Sequence, residues 1–164
     1  MDLFQSVLIT AALLCSLVAG FLFAYAVVVM PGIGKLGDAE FLRAFQVTDR
    51  VIQDNHPLFL IVWLGSAVAV ISAASLGFMR LAGVELTLLV VATVVYILGV
   101  QFSTIRVHLP LNNRLQQLDL DTLDADALAA ARAEFEPRWN ASNRIRTILA
   151  TLVSLTLLLL LARL

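Results

Sequence analysis

Four long apolar runs, Val7 to Met30, Leu58 to Met79, Leu86 to Ile105 and Thr147 to Leu161, limit what this chain can fold into. The first three reach the length of about 20 residues that an α-helix needs to cross the hydrocarbon core of a bilayer. The fourth is shorter. A helix beginning at Pro137, whose ring suits a first helical turn, lengthens it and carries Arg138 to Arg146 as a polar, interfacial first part. Composition agrees: 60% of residues are apolar, 14% are charged and the mean hydropathy is +0.93, whereas a soluble domain carries roughly a quarter charged residues. The predicted fold class is an all-α membrane protein, a four-transmembrane-helix antiparallel bundle with short helices in the two long connections. With no internal repeat or low-complexity linker, residues 1–164 make one domain.

The first run has no basic region before it, exceeds a signal-peptide core in length and lacks a small-residue cleavage pattern, so it reads as a retained helix. The single cysteine, Cys15, lies inside that helix, which excludes an intrachain disulfide or thiolate cluster. A formal net charge of −1 without a basic tract gives no reason to expect nucleic acid as a partner. Lys35, Arg43 and Arg50 fall in the connection from Pro31 to Pro57, and Arg106, Arg114, Arg132, Arg138, Arg144 and Arg146 in that from Arg106 to Arg146, against only Arg80 and Arg163 on the other side. The positive-inside rule then places both long connections, and any site they build, on the cytoplasmic side of a bacterial inner membrane.

"DAEFLRAFQVTDRVIQ" in the first connection sets Phe41, Leu42, Phe45 and Ile52 on one helical face with charges on the other, a helix for the membrane surface or the bundle end. Asn55 is the expected N-cap of the second transmembrane helix, with Pro57 in its first turn. "DADALAAARAEFE" in the third connection reads as another short helix. Ser16, Gly20 and Ala24 form a small-residue strip expected to pack on a neighbour, as do Gly65, Ala69 and Ser72.

Unusual polar residues concentrate at one membrane face. Gln101, Thr104 and His108 share a side of the third helix if it continues to the residues before Pro110, and Trp139, Asn143 and Arg146 share a side of the fourth. An arginine and an asparagine on a stripe entering lipid should face the bundle interior, because lipid exposure costs a few kcal/mol. Taken singly, such residues are ordinary helix-end chemistry: Trp139 suits an interfacial belt, and Asn112 with Asn113 a turn. Taken together, His108, Asn112, Asn113, Asn143 and Arg146 are expected to converge in one cavity.

The order "FAYAVVVMPGIGKL", "NHPLF", "HLPLNNRL" and "FEPRWNASNRIRT" resembles the anthrone-oxygenase-like family of small four-helix membrane proteins. Pro110-Leu111-Asn112-Asn113, and Trp139 followed by Asn143, Arg144 and Arg146, carry the resemblance most strongly. It implies oxidation of an anthrone to an anthraquinone by dioxygen without flavin or metal, on a small hydrophobic aromatic substrate. In such a reaction His108 is the natural base and Asn112, Asn113, Asn143 and Arg146 stabilise an anion or carbonyl. Tyr25, Phe21, Phe102 and Trp139 would line a flat pocket.

Two other readings compete. His56 and His108 both sit at helix ends on the same face, and a pair of histidines can ligate a haem iron or take part in a copper site. A non-enzymatic accessory or small-molecule-binding protein needs only the four helices, and a homo-oligomer stays open. Nucleotide hydrolysis and the familiar hydrolases are disfavoured, since no Gly-rich phosphate loop, HExxH or GxSxG pattern occurs. Transport would need oligomerisation to build a pathway.

Overall fold

Local chemistry starts each helix in the computed structural model, which describes residues 2–164. Asp2 Oδ1 accepts the Gln5 N–H at 2.8 Å while the Gln5 side chain reaches back to the Asp2 N–H, closing a capping box at the head of α1 (Leu3–Ile33). The Glu40 carboxylate accepts the Gly37 N–H at 3.0 Å and begins α2 (Asp38–Gln53). Asn55 is not a cap: it ends α2 in the left-handed region at φ 59°, which asparagine tolerates, and His56 takes the N-cap position of α3 (Pro57–Gly77). Gly83, at φ 56°, closes the tight turn into α4 (Gly83–Gln116). Asp124 accepts the Ala127 N–H at 2.9 Å and opens α5 (Ala125–Leu161).

The helices α1, α3, α4 and α5 are each long and apolar enough to cross a membrane, and among the described residues there is no strand. α5 runs unbroken for 37 residues through Pro137, so the alanine-rich "DADALAAARAEFE" segment is its first third rather than a separate short helix. Hydropathy marks where a helix enters lipid. Propensity and the Asp124 cap decide where this one begins. α4 likewise continues past Pro110, whose ring would strike the carbonyl of Arg106 in a regular helix. Thr104 to His108 are π-helical, with the Leu109 N–H bonded to the Thr104 carbonyl five residues back, and this wider turn accommodates the proline.

α1 packs against α3 and α5, and α4 against the same two, so every neighbour in the bundle is antiparallel. Both long connections meet at one end. There α2 lies over the bundle: Gln46 Nε2 donates to the carbonyls of Leu115 at 2.8 Å and Leu118 at 3.0 Å, and Arg43 pairs with Asp121. Leu13, Leu17, Ile61, Val68, Leu98 and Leu155 face outward, where only lipid can receive them. In the Ser16, Gly20, Ala24 strip the central glycine is exposed, and a Cβ on it would meet nothing within 4 Å, while Ser16 and Ala24 are half-buried. The face of α1 that packs instead carries Leu8, Ala12, Cys15, Ala19 and Leu22. The Gly65 strip does pack, with Leu14 Cδ1 3.3 Å from a Cβ built on Gly65.

The interior divides into two apolar clusters with a polar layer between them. Leu22, Val100 and Ala150 belong to the membrane-spanning cluster, and Met30, Leu111 and Trp139 to the cluster beneath α2. The buried polar residues His108, Asn143 and Arg146 lie between those levels on α4 and α5.

Arg132 holds the α1 to α2 connection against α5. Its guanidinium donates to the carbonyls of Gly34 at 2.8 Å and Leu36 at 2.9 Å, pairs with Asp38 at 3.1 Å and Glu136 at 2.7 Å, and lies 4.4 Å from the Phe41 ring centroid. Arg132→Ala is expected to destabilise the folded chain by about 2–3 kcal/mol in thermal unfolding in detergent, because two main-chain carbonyls lose their donor. Arg132→Lys should restore only part of this loss, since an ammonium cannot reproduce the planar fork. Unchanged melting of the alanine variant would remove the clamp from the account.

Candidate functional site

Five helices contribute to one cavity of about 320 Å³ in the polar layer. α1 supplies Phe21 and Tyr25; α2 supplies Phe45, Asp49, Ile52 and Gln53; α3 supplies Phe59, Leu60, Trp63 and Leu64. α4 adds Gln101, Thr104, Ile105, His108, Leu109 and Asn112, and α5 adds Trp139 and Arg146. The volume suits a small ligand, and aromatic walls with a few convergent polar groups are what such sites require. Phe59 and Trp63 stack at 5.5 Å, Tyr25 and Trp139 lie 5.5 Å apart, and the His108 ring meets Trp139 edge-on at 5.0 Å. Leu64 and Ile105 are each 59% exposed on the outer surfaces of α3 and α4, so the cavity opens sideways toward lipid.

Arg146 organises the deep side. One guanidinium nitrogen donates to Thr104 Oγ1 at 2.7 Å; the other donates to Asn143 Oδ1 at 2.9 Å and meets His108 Nδ1 at 3.2 Å. Asn143 is fixed in turn by donating to the Leu22 carbonyl at 3.1 Å, just before the π-helical turn Tyr25–Val29 of α1. A guanidinium can only donate, so His108 accepts at Nδ1 and carries its hydrogen on Nε2, which meets Ser142 Oγ at 2.9 Å. Arg146 forms no ion pair among the described residues, and its buried Nε has no acceptor. This is an uncompensated cation with donor capacity to spare.

Asp49 organises the side under α2. Its carboxylate is buried and accepts from Asn112 Nδ2 at 2.7 Å, Gln116 Nε2 at 3.1 Å and Gln53 Nε2 at 3.2 Å, with no cationic partner among the described residues. Asn112 also accepts the Trp139 indole N–H at 3.1 Å, which ties α2, α4 and α5 together. Sequence reasoning missed Asp49 by assigning every charge of α2 to its polar face. The spacing was there to be read, since Asp49 follows Phe45 by four residues and Phe41 by eight and so continues the apolar stripe.

Of the residues singled out from sequence, His108, Asn112, Arg146, Tyr25, Phe21 and Trp139 lie on the cavity wall, and Asn143 sits behind Arg146. Two do not join them. Asn113 is exposed on the surface, where it accepts from Gln53 at 3.2 Å, because adjacent helical residues diverge by about 100°. Phe102 is turned outward for the same reason, one residue beyond Gln101, and lies beneath Arg106 at 5.5 Å. The two histidines are not brought onto one wall either. His56 is exposed at the start of α3 and off the cavity wall, while both ring nitrogens of His108 are hydrogen-bonded within the chain.

No match to the chain is found among curated proteins or among solved structures. The family described as anthrone oxygenase matches residues 50–156, which takes in the cavity-lining parts of α3, α4 and α5 and more than half of the chain, and the protein therefore belongs to that family.

Proposed function

We propose that this membrane protein is an oxygenase that converts the activated methylene of an anthrone-like aromatic to a carbonyl with dioxygen, using protein side chains alone. The observation carrying this reading is a buried, unpaired guanidinium in an aromatic-walled cavity that opens to lipid. Loss of a methylene proton turns an anthrone into an enolate whose charge rests on the carbonyl oxygen. Arg146 stabilises that oxygen most where the charge develops, because Thr104, Asn143 and His108 already hold its guanidinium in place. The electron-rich carbon then reduces dioxygen, and the overall change from CH₂ and O₂ to C=O and H₂O balances.

His108, Asn143 and Thr104 act as positioning residues for the guanidinium, and Tyr25, Phe59, Trp63 and Trp139 hold the flat rings. A substrate dissolved in the bilayer reaches the site between Leu64 and Ile105. The excess of Lys and Arg in the long connections supports a cytoplasmic orientation for this end of the bundle in a bacterial inner membrane.

Purified protein in detergent should convert an anthrone to the anthraquinone faster than the buffer does, followed by absorbance. Conversion at the spontaneous rate, with anthraquinone still bound, would instead support a non-enzymatic binding protein.

A further inference from the structure

Resting on the oxygenase reading above, we infer that Asp49 is the catalytic base, which removes the methylene proton from the opposite end of the substrate to Arg146. In an anthrone the carbonyl and the methylene occupy opposite positions of the central ring. The group that holds the enolate oxygen and the group that takes the proton must therefore stand on opposed walls. His108 is bonded directly to Arg146 and stands on the oxyanion side, with neither ring nitrogen free.

Asp49 stands on the other side. Its partner Asn112 lies four residues beyond His108 and eight beyond Thr104 on α4, both of which contact Arg146. Along the axis of α4, Asn112 therefore stands roughly 6 Å beyond His108, at about 1.5 Å per residue, and farther still beyond Thr104. A carbonyl bonded to arginine, the ring beyond it and a base in contact with the far carbon together span roughly 10 Å. The offset along α4 suits such a molecule.

The carboxylate also has room to act. Of the four lone-pair sites of a carboxylate, the three amide donors use three, which leaves one on Oδ1. Asp49 lies just before the matched segment that begins at residue 50. In the step, the methylene C–H bond breaks, its proton goes to Asp49, and its electron pair enters the enolate held by Arg146. Dioxygen accepts electrons from the carbanion and bonds to that carbon. Asp49 returns the proton to the peroxide, removes the second C–H proton as the O–O bond breaks to form the carbonyl, and delivers that proton to the departing hydroxide as water.

Anaerobic exchange of the anthrone methylene protons for deuterium, followed by NMR, isolates the proton step from oxygen chemistry. Wild-type protein is expected to accelerate exchange above buffer and D49N to lose at least about 10²-fold of it. D49N should still bind anthraquinone, read by quenching of Trp63 and Trp139 fluorescence. Wild-type exchange in D49N overturns the assignment and leaves the oxygenase reading intact. Loss of both exchange and binding overturns it in favour of a purely structural carboxylate. If the wild-type protein accelerates neither exchange nor oxidation, the oxygenase reading itself fails and takes Asp49 with it. Should D49N not remain monodisperse, D49E replaces it: displacing the carboxylate by one methylene should slow exchange about 10-fold or more with binding retained, and an unchanged rate overturns the assignment.

Discussion

Arg146→Met is expected to lower anthrone oxidation by about 10²–10³-fold, the usual cost of removing a preoriented donor to a developing oxyanion. The same substitution removes an unpaired buried charge but also the donor to the buried acceptors Asn143 Oδ1 and His108 Nδ1, so some loss of melting temperature in detergent is expected as well. A methionine fills much of the arginine volume, so no large cavity adds to that loss. The rate per folded molecule therefore separates the two roles. Were Arg146 only a structural tie between α4 and α5, melting would fall sharply and the rate per folded molecule would not. Arg146→Lys keeps the charge but lacks the fork that reaches Thr104, Asn143 and His108 together, so it should recover only a small part of the rate.

The histidines should behave unequally. His108→Ala removes the acceptor at 3.2 Å that orients the guanidinium, and a loosened Arg146 is expected to cost about 10-fold or more in kcat with little change in anthraquinone affinity. His56→Ala should leave turnover within about two-fold, since His56 is exposed at the start of α3, caps no backbone group with its side chain and is not on the cavity wall. Equal losses accompanied by disappearance of a coloured or metal-bound species in both variants would restore the paired-ligand reading, because two ligands of one centre fail together.

The membrane spans were legible in the sequence because hydropathy reports burial in lipid directly, and the amphipathic period announced α2. The ends of α4 and α5 were not. The apolar run of α5 starts at Thr147 while its helix starts at Ala125, and α4 passes Pro110 through a π-helical turn that no propensity scale anticipates. The spacing of Thr104 with His108, and of Trp139 with Arg146, put them on inward stripes, and all four line one cavity. Asn113 and Phe102 shared a motif or a neighbourhood with true wall residues, but one helical step turns each away from the cavity. Asp49 shows the opposite failure. A carboxylate on an apolar stripe was read as part of a solvated face, although a charge there signals either a buried network or a site. That its amide partners come from both α2 and α4 depends on how α2 lies over the bundle, which local sequence does not encode.

The oxygenase claim is tested most directly by turning over an anthrone under ¹⁸O₂ with the purified wild-type protein and following the label by mass spectrometry. One ¹⁸O atom is expected in the new carbonyl of each anthraquinone and the other in water, with one dioxygen consumed per product and loss of the signal in Arg146→Met. Unlabelled quinone, or labelled quinone formed no faster than in protein-free micelles, would contradict it.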